Sequence, residues 1–191
     1  MDIPKLVEER VSRKQWGKQI LERKFQLPGG EVIDYFNWGG TVIPSIIFPV
    51  TEDMKVVALK QFRYGANKIL VEIPGGCPYE GETTEEIARK ELLEETGFTA
   101  SKFVKLGSPI WFEPANCITP YAPVLALGCR KIGEPKLDKT EFAEVVIYRL
   151  PVWADKIRSG EIRDSKTIAV TFLAMLYLGL TLLGLIRLSE D

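Results

Sequence analysis

Glu91, Glu94 and Glu95 stand in the run Lys90-Glu91-Leu92-Leu93-Glu94-Glu95. If that run is helical, the three carboxylates sit at i, i+3 and i+4 and share one face. Like charges at those spacings cost a helix about 0.2–0.5 kcal/mol per pair, and no structural role calls for three of them together. A hard divalent ion such as Mg2+ or Mn2+ does, because it takes oxygen ligands and accepts phosphate oxygens to complete its shell. The bland alternative is a solvated acidic face, the usual meaning of Glu-Glu on a helix. The segment in front favours the ion. Ile73-Pro74-Gly75-Gly76 ends a strand-like run in two permissive residues, where backbone carbonyls can come close to a metal.

The rest of the composition narrows the chemistry. The chain has 191 residues and no histidine. That excludes Ser-His-Asp and Cys-His catalysis, His-based zinc sites and phosphohistidine chemistry, and leaves carboxylates, Lys, Arg, Tyr, Cys or an oxygen-held metal. Without histidine, a rate inflection near neutral pH has to come from a metal-held water or a strongly shifted Glu. Twenty-five Lys and Arg against 26 Asp and Glu leave no broad basic field, so no nucleic-acid partner is expected. Cys77, Cys117 and Cys129 have neither disulfide-framework nor zinc-site spacing. With no basic-then-apolar leader at the N-terminus, they point to a reducing, cytoplasmic setting.

The elements that must position the glutamates follow from local patterns. Residues 84–96 form a helix, opened by Thr83 and Glu86 at capping-box spacing and closed by Gly97. Residues 69–73 make the strand leading into Pro74-Gly75-Gly76. Residues 18–27 and 31–38 flank Pro28-Gly29-Gly30 as a hairpin, and 41–50 and 55–64 flank Thr51-Glu52-Asp53 as a second. Further strands are expected near 102–111, 121–129 and 143–150, then a short helix from Pro151 to about Ser159. The pattern is β-rich α+β, divided into an N-terminal hairpin segment, 1–40, and a main domain, 41–191. Residues 167–186 carry no charge over 20 positions. They read as a core or dimer-interface helix beginning near Ser165, with Gly179 and Gly184 as interruptions, in preference to a membrane span of the same length.

Gly76, Glu82, Glu91, Leu92, Glu94, Glu95, Gly97 and Phe98 fall at the fixed positions of a Nudix box, and the sequence resembles that family of hydrolases of nucleoside diphosphates linked to another moiety. The departure is Lys90, where the family has Arg. Gln61-Phe62-Arg63-Tyr64-Gly65, Glu72-Ile73-Pro74-Gly75-Gly76, Pro114, Glu141-Phe142 and residues 160–167 are similar to segments of the ADP-ribose pyrophosphatase and nucleoside diphosphate sugar branch. The resemblance implies an α/β/α sandwich with a mixed sheet. It also implies Mg2+- or Mn2+-dependent cleavage, of ADP-ribose for example, to AMP and ribose 5-phosphate.

By the same resemblance Glu91 and Glu95 are the principal metal ligands, assisted by Glu94 and the Gly75 carbonyl. Lys90 orients them less rigidly than Arg would, and Glu82 orders the loop or touches the metal from outside. Glu141 is the candidate general base, with Glu144 its rival, Lys139 where relatives carry another acid, and a plain strand-entry charge as the alternative. Arg63 binds the pyrophosphate. Trp38 is preferred for stacking on the base over Tyr35 and Phe36, at least one of which is expected in the core because strand neighbours point to opposite faces. A homodimer through the N-terminal hairpin and the 167–186 run is implied. The box does not name the substrate, so dinucleoside polyphosphates and GDP-mannose stay open. A non-catalytic nucleotide sensor also stays open, although it has no need of three repelling carboxylates.

Overall fold

The computed structural model describes residues 1–15, 17–79 and 81–179. In chain order its elements are β1 (Lys5–Gln15), β2 (Lys18–Gln26), β3 (Val32–Gly40), β4 (Ser45–Thr51), β5 (Lys55–Arg63), β6 (Lys68–Glu72), β7 (Gly75–Gly76) and α1 (Thr84–Thr96). There follow β8 (Phe98–Thr99), β9 (Lys102–Lys105), β10 (Ile110–Trp111), β11 (Pro120–Lys131), β12 (Ala143–Arg149), α2 (Leu150–Arg158) and α3 (Ser165–Tyr177). The chain divides into two compact units, Met1–Ile43 with Ile110–Tyr121, and Pro44–Pro109 with Ala122–Asp191.

The first unit is an antiparallel sheet in the order β1-β2-β3. β2 and β3 are the expected hairpin, closed where Leu27 donates to the Glu31 carbonyl (2.8 Å). β1 is an addition: every residue in it is exposed, so it lacks the apolar alternation by which a half-buried strand is read from sequence. The expectation that Tyr35 or Phe36 would lie in the core is corrected. Tyr35 is 40% and Phe36 57% exposed, because few side chains of this sheet are buried, Leu21 and Asn37 among them. Residues 110–121 are stitched to the end of β3. Trp38 N–H donates to the Asn116 carbonyl (3.0 Å), Ile118 N–H to the Trp38 carbonyl (2.8 Å), and Thr119 Oγ1 exchanges hydrogen bonds with the Gly40 backbone (2.7 and 2.8 Å).

The second unit is a mixed sheet ordered β11-β4-β5-β12, with β6 beside β5, β7 beside β4, and β8 and β9 beside β11. β4 and β11 run parallel, and the other pairs are antiparallel. β4 reads Ile46-Ile47-Phe48 and is buried on both faces. Ile47 packs under α1 with Val57, Ala88, Leu92, Phe98 and Val124. Its neighbour Phe48 meets Trp153 of α2 on the other face (6.3 Å between centroids), and the Trp153 indole donates to Thr171 Oγ1 of α3 (3.1 Å). Helices therefore cover both faces of the sheet, giving the expected sandwich.

α1 starts and stops as its residues dictate. Thr83 and Glu86 close a full capping box, and Gly97 ends the helix at φ 73°. The strand expected over 102–111 splits into β9 and β10, with Gly107 at φ 107° between them. α3 is opened by Asp164, whose carboxylate accepts the Thr167 N–H (2.8 Å) and hydroxyl (2.9 Å). It ends at Tyr177, two residues before Gly179 at φ 67°. Residues 180–186 of the uncharged run lie outside the described residues. Among those described, no helix is long and apolar enough to cross a membrane.

Candidate active site

The turn between β6 and α1 is pinned from three sides. The Pro74 carbonyl accepts the Ile47 N–H of β4 (2.9 Å), the Ile73 N–H donates to Thr167 Oγ1 of α3 (3.2 Å), and the Gly75 N–H donates to a Glu95 carboxylate oxygen (2.8 Å). At Gly75 backbone contact requires glycine, and at Gly76 a side chain would have to displace Glu91. A Cβ on Gly75 would lie 3.0 Å from the Ile46 Cα, and one on Gly76 would come within 2.6 Å of a Glu91 carboxylate oxygen. The Gly75-Gly76 backbone is thus a floor laid directly against two of the box glutamates.

The three glutamates do not share one environment. Glu95 is buried, at 5% exposure, and Glu91 is half-buried, whereas Glu94 is exposed at the rim. Burial pushes the Glu91 carboxyl up to about 7; the Lys90 charge opposes this, while Glu94 and Glu141 add to it. Burial likewise pushes Glu95 up to about 8, against the Gly75 hydrogen bond and with the repulsion of Glu91 and Glu141. Each is a strongly shifted Glu of the kind a histidine-free chain needs for chemistry near neutral pH.

Glu141 stands where its charge acts on both. Its loop is tied to β5, since Phe62 N–H donates to the Phe142 carbonyl (2.9 Å) and Tyr64 Oη to the Thr140 carbonyl (3.2 Å). Glu141 Oε2 accepts the Asp138 N–H (3.0 Å), which holds the side chain within its loop. Its rival Glu144 is an exposed residue of β12 opposite Lys60, and Lys139 is exposed in the loop.

Lys90 closes the loop from the α1 side. Its ammonium lies 2.9 Å from Glu82, 3.6 Å from Glu91, 3.4 Å from the Cys77 carbonyl and 3.9 Å from the Tyr79 ring centroid. Glu82 also accepts the Tyr79 N–H (2.6 Å), so here it orders the loop. Arg63 faces inward. Its Nε and Nη2 grip both oxygens of Glu72, at 2.7–3.0 Å. Glu72 was part of a sequence motif, but nothing in its spacing announced this partner.

The structure does not bring the three N-terminal aromatics together. Tyr35 lines a cavity of about 510 Å3 in the first unit with Phe25, Ile33, Asn37, Trp111 and Pro114. Phe36 and Trp38, one residue away on either side of Asn37, do not line it, and Trp38 instead meets Phe112 edge-on (6.1 Å). On β3, Phe36 and Trp38 share one face and Tyr35 takes the other, although Tyr35 and Phe36 both border a second cavity of about 540 Å3 in the first unit.

The donor set suits a hard divalent ion. Glu91 and Glu95 offer carboxylate oxygens beside a glycine floor, and burial raises the titration of both above the ordinary carboxylate range. Among the described residues no three Asp, Glu or Cys side chains converge as a ready-made cage. Mg2+ sites of the phosphate-handling kind are completed by water and substrate oxygens.

The sequence profile of the NUDIX domain matches residues 42–166, about two thirds of the chain. The chain belongs to the Nudix family. Among curated relatives, it is 34% identical over 122 residues to the ADP-ribose pyrophosphatase of Bacillus subtilis (strain 168), a match covering 63% of this chain and 65% of that protein. It therefore spans just under two thirds of that relative's length. It is 31% identical over 131 residues to the methanol dehydrogenase activator of Bacillus methanolicus, covering 68% and 70% of the two. A crystal structure of an ADP compounds hydrolase superposes with a TM-score of 0.81 over 94% of this chain and 96% of the other, at 17% identity. At that identity the likeness speaks for the Nudix fold.

Proposed function

We propose that this Nudix protein hydrolyses the pyrophosphate bond of ADP-ribose or a related nucleoside diphosphate sugar, with Mg2+ or Mn2+, giving a nucleoside monophosphate and a sugar phosphate. The observation that carries this reading is buried Glu95 and half-buried Glu91 against the Gly75-Gly76 floor, with the Glu141 charge acting on both. The ADP-ribose pyrophosphatase relative supports the substrate class.

In this reading Glu91 and Glu95 hold the ion, with Glu94 and the Gly75 carbonyl assisting. When bound, a divalent ion supplies positive charge to the pyrophosphate oxygens and lowers the pKa of a water in its shell. Arg63 presents N–H groups not used by Glu72 to the pyrophosphate. Glu141 accepts the proton of the attacking water as its oxygen bonds to phosphorus and the bridging P–O bond breaks. Lys90 keeps the Cys77–Glu82 loop on α1 and so keeps Glu91 in place. The active form is proposed to be a homodimer; sedimentation of a clean monomer at micromolar concentration would overturn that.

The deciding experiment is a hydrolysis panel of ADP-ribose, ADP-glucose, GDP-mannose, NADH, Ap4A and dNTPs with Mg2+, run on wild type and Glu95→Gln. ADP-ribose or another nucleoside diphosphate sugar is expected to turn over fastest, and Glu95→Gln to lose at least about 100-fold. No turnover of any compound, or full activity in the variant, would refute the reading.

A further inference from the structure

Arg63 and Glu72 are not cross-strand neighbours. In the β5–β6 hairpin Arg63 pairs with Lys68 and Glu72 with Leu59. Directly opposite residues share a face, so Leu59, Gln61 and Arg63 lie on one face with Glu72, Leu70 and Lys68. Along that face the two backbone positions are four residues apart, about 13 Å at strand rise. Yet the side chains meet through three hydrogen bonds of 2.7–3.0 Å. The Arg63 side chain therefore lies back along the hairpin, away from the tip at residues 64–67 and toward the turn that carries Gly75 and Gly76.

The grip is one-sided. Glu72 is 2% exposed, while the Arg63 side chain is 41% exposed. The hydrogen bonds consume Nε and one face of Nη2; among the described residues Nη1 has no recorded partner. The charges of Glu95 and Asp164 also act on Arg63. A buried carboxylate is costly to keep unless it is paired. Here the pairing fixes one edge of a planar fork and leaves the other edge aimed out, which a lysine could not reproduce. A guanidinium held on one edge has already given up the rotamer freedom it would otherwise lose on binding an anion.

We propose that Glu72 is a positioning residue: it draws Arg63 back from the hairpin tip and presets its free edge as the pyrophosphate clamp. This deepens the hydrolase reading above and rests on it for the identity of the anion.

The test is titration calorimetry of inorganic pyrophosphate with Mg2+ into wild type, Glu72→Gln, Arg63→Lys and the double variant, with KM and kcat for ADP-ribose measured beside it. Each single variant is expected to weaken pyrophosphate binding about 10-fold and to raise KM more than it lowers kcat. The double variant is expected to bind no more weakly than Arg63→Lys alone, because the two act as one unit. Arg63→Lys keeps the Glu72 charge neutralised and so keeps the fold if Glu72→Gln does not; its unchanged affinity would overturn the proposal. So would a folded Glu72→Gln that binds like wild type, losses that multiply in the double variant, or a wild type that does not bind pyrophosphate. A wild type that binds pyrophosphate but cleaves nothing in the panel would refute the hydrolase reading while leaving the Glu72 result to stand.

Discussion

Glu95→Gln should make the metal-free protein more stable, and only at high pH. The amide keeps an oxygen to accept the Gly75 N–H, now 2.8 Å from the carboxylate, and removes a negative charge that is 5% exposed and repelled by Glu91 and Glu141. The Glu95 carboxyl titrates at about 8 in the fold against 4.5 when unperturbed. Below the unperturbed value both folded and unfolded chains carry the proton, and Glu95 costs nothing. Between the two values the folded chain holds a proton that the unfolded chain has released. Stability therefore falls as pH rises, by about 1.4 kcal/mol per pH unit, to a loss of about 5 kcal/mol above pH 8. For a chain of this length that corresponds to roughly 10–20 °C in Tm. Thermal melts of wild type and variant in EDTA should coincide near pH 4.5 and separate steadily to pH 9, with the variant higher. A gap independent of pH, or a wild type more stable at pH 9, would refute the assignment of Glu95 as a buried, uncompensated carboxylate.

The same charge deficit predicts that Mn2+ or Mg2+ raises the Tm of wild type more at pH 8 than at pH 5, and that Glu91→Gln and Glu95→Gln blunt the rise. Gly76→Ala should lower kcat/KM at least about 10-fold while shifting Tm by a few degrees, because its Cβ would come within 2.6 Å of a Glu91 carboxylate oxygen and push that side chain out of place. Glu141→Gln should cut kcat by about 100-fold, and Glu144→Gln by less than about twofold, since Glu144 is exposed on β12; the reverse order would exchange their roles. Lys90→Ala should speed hydrogen exchange of the Tyr79 and Glu82 amides, because it removes the link among Glu82, Tyr79 and Glu91. If exchange there is unchanged, the ammonium does not hold the loop.

What could be read from sequence was whatever local chemistry dictates. Thr83, Glu86 and Gly97 marked the ends of α1, and the structure places its cap and stop there. The turn residues Thr51-Glu52-Asp53 marked the break between two strand-like runs, and β4 and β5 lie on either side of it, but the burial of β4 on both faces was not read from its pattern. β1 was illegible because its residues are all exposed and leave no period. The Arg63–Glu72 pair was illegible for another reason. It joins residues nine apart through the length of a side chain, across a hairpin register that no single residue announces. The grading of the glutamates, Glu95 buried and Glu94 at the rim, was also hidden: helical spacing puts all three on one face but does not say how far the sheet covers it.

The distribution of cations is the strongest physical reason to read this acidic site as an ion-binding one. Each nearby basic group is committed to a particular carboxylate: Arg63 to Glu72 at 2.7 Å, Lys166 to Asp164 at 2.7 Å and Lys90 to Glu82 at 2.9 Å. Glu91 is left with Lys90 at 3.6 Å, and Glu95 with a backbone N–H and the charge of Arg63, whose hydrogen bonds go to Glu72. Glu72, the most buried of these carboxylates at 2% exposure, has its cation, whereas Glu95, at 5%, has no cation hydrogen-bonded to it among the described residues, and an unpaired buried charge is the costly case. The cations fix the surroundings: the Arg63 edge, the α3 cap, and Tyr79 and Glu82 beside α1. The two glutamates against the glycine floor are left to be neutralised by protons or by a divalent ion. Proton uptake and ion uptake must then compete at Glu91 and Glu95, so apparent affinity for Mg2+ should rise with pH until both are ionised.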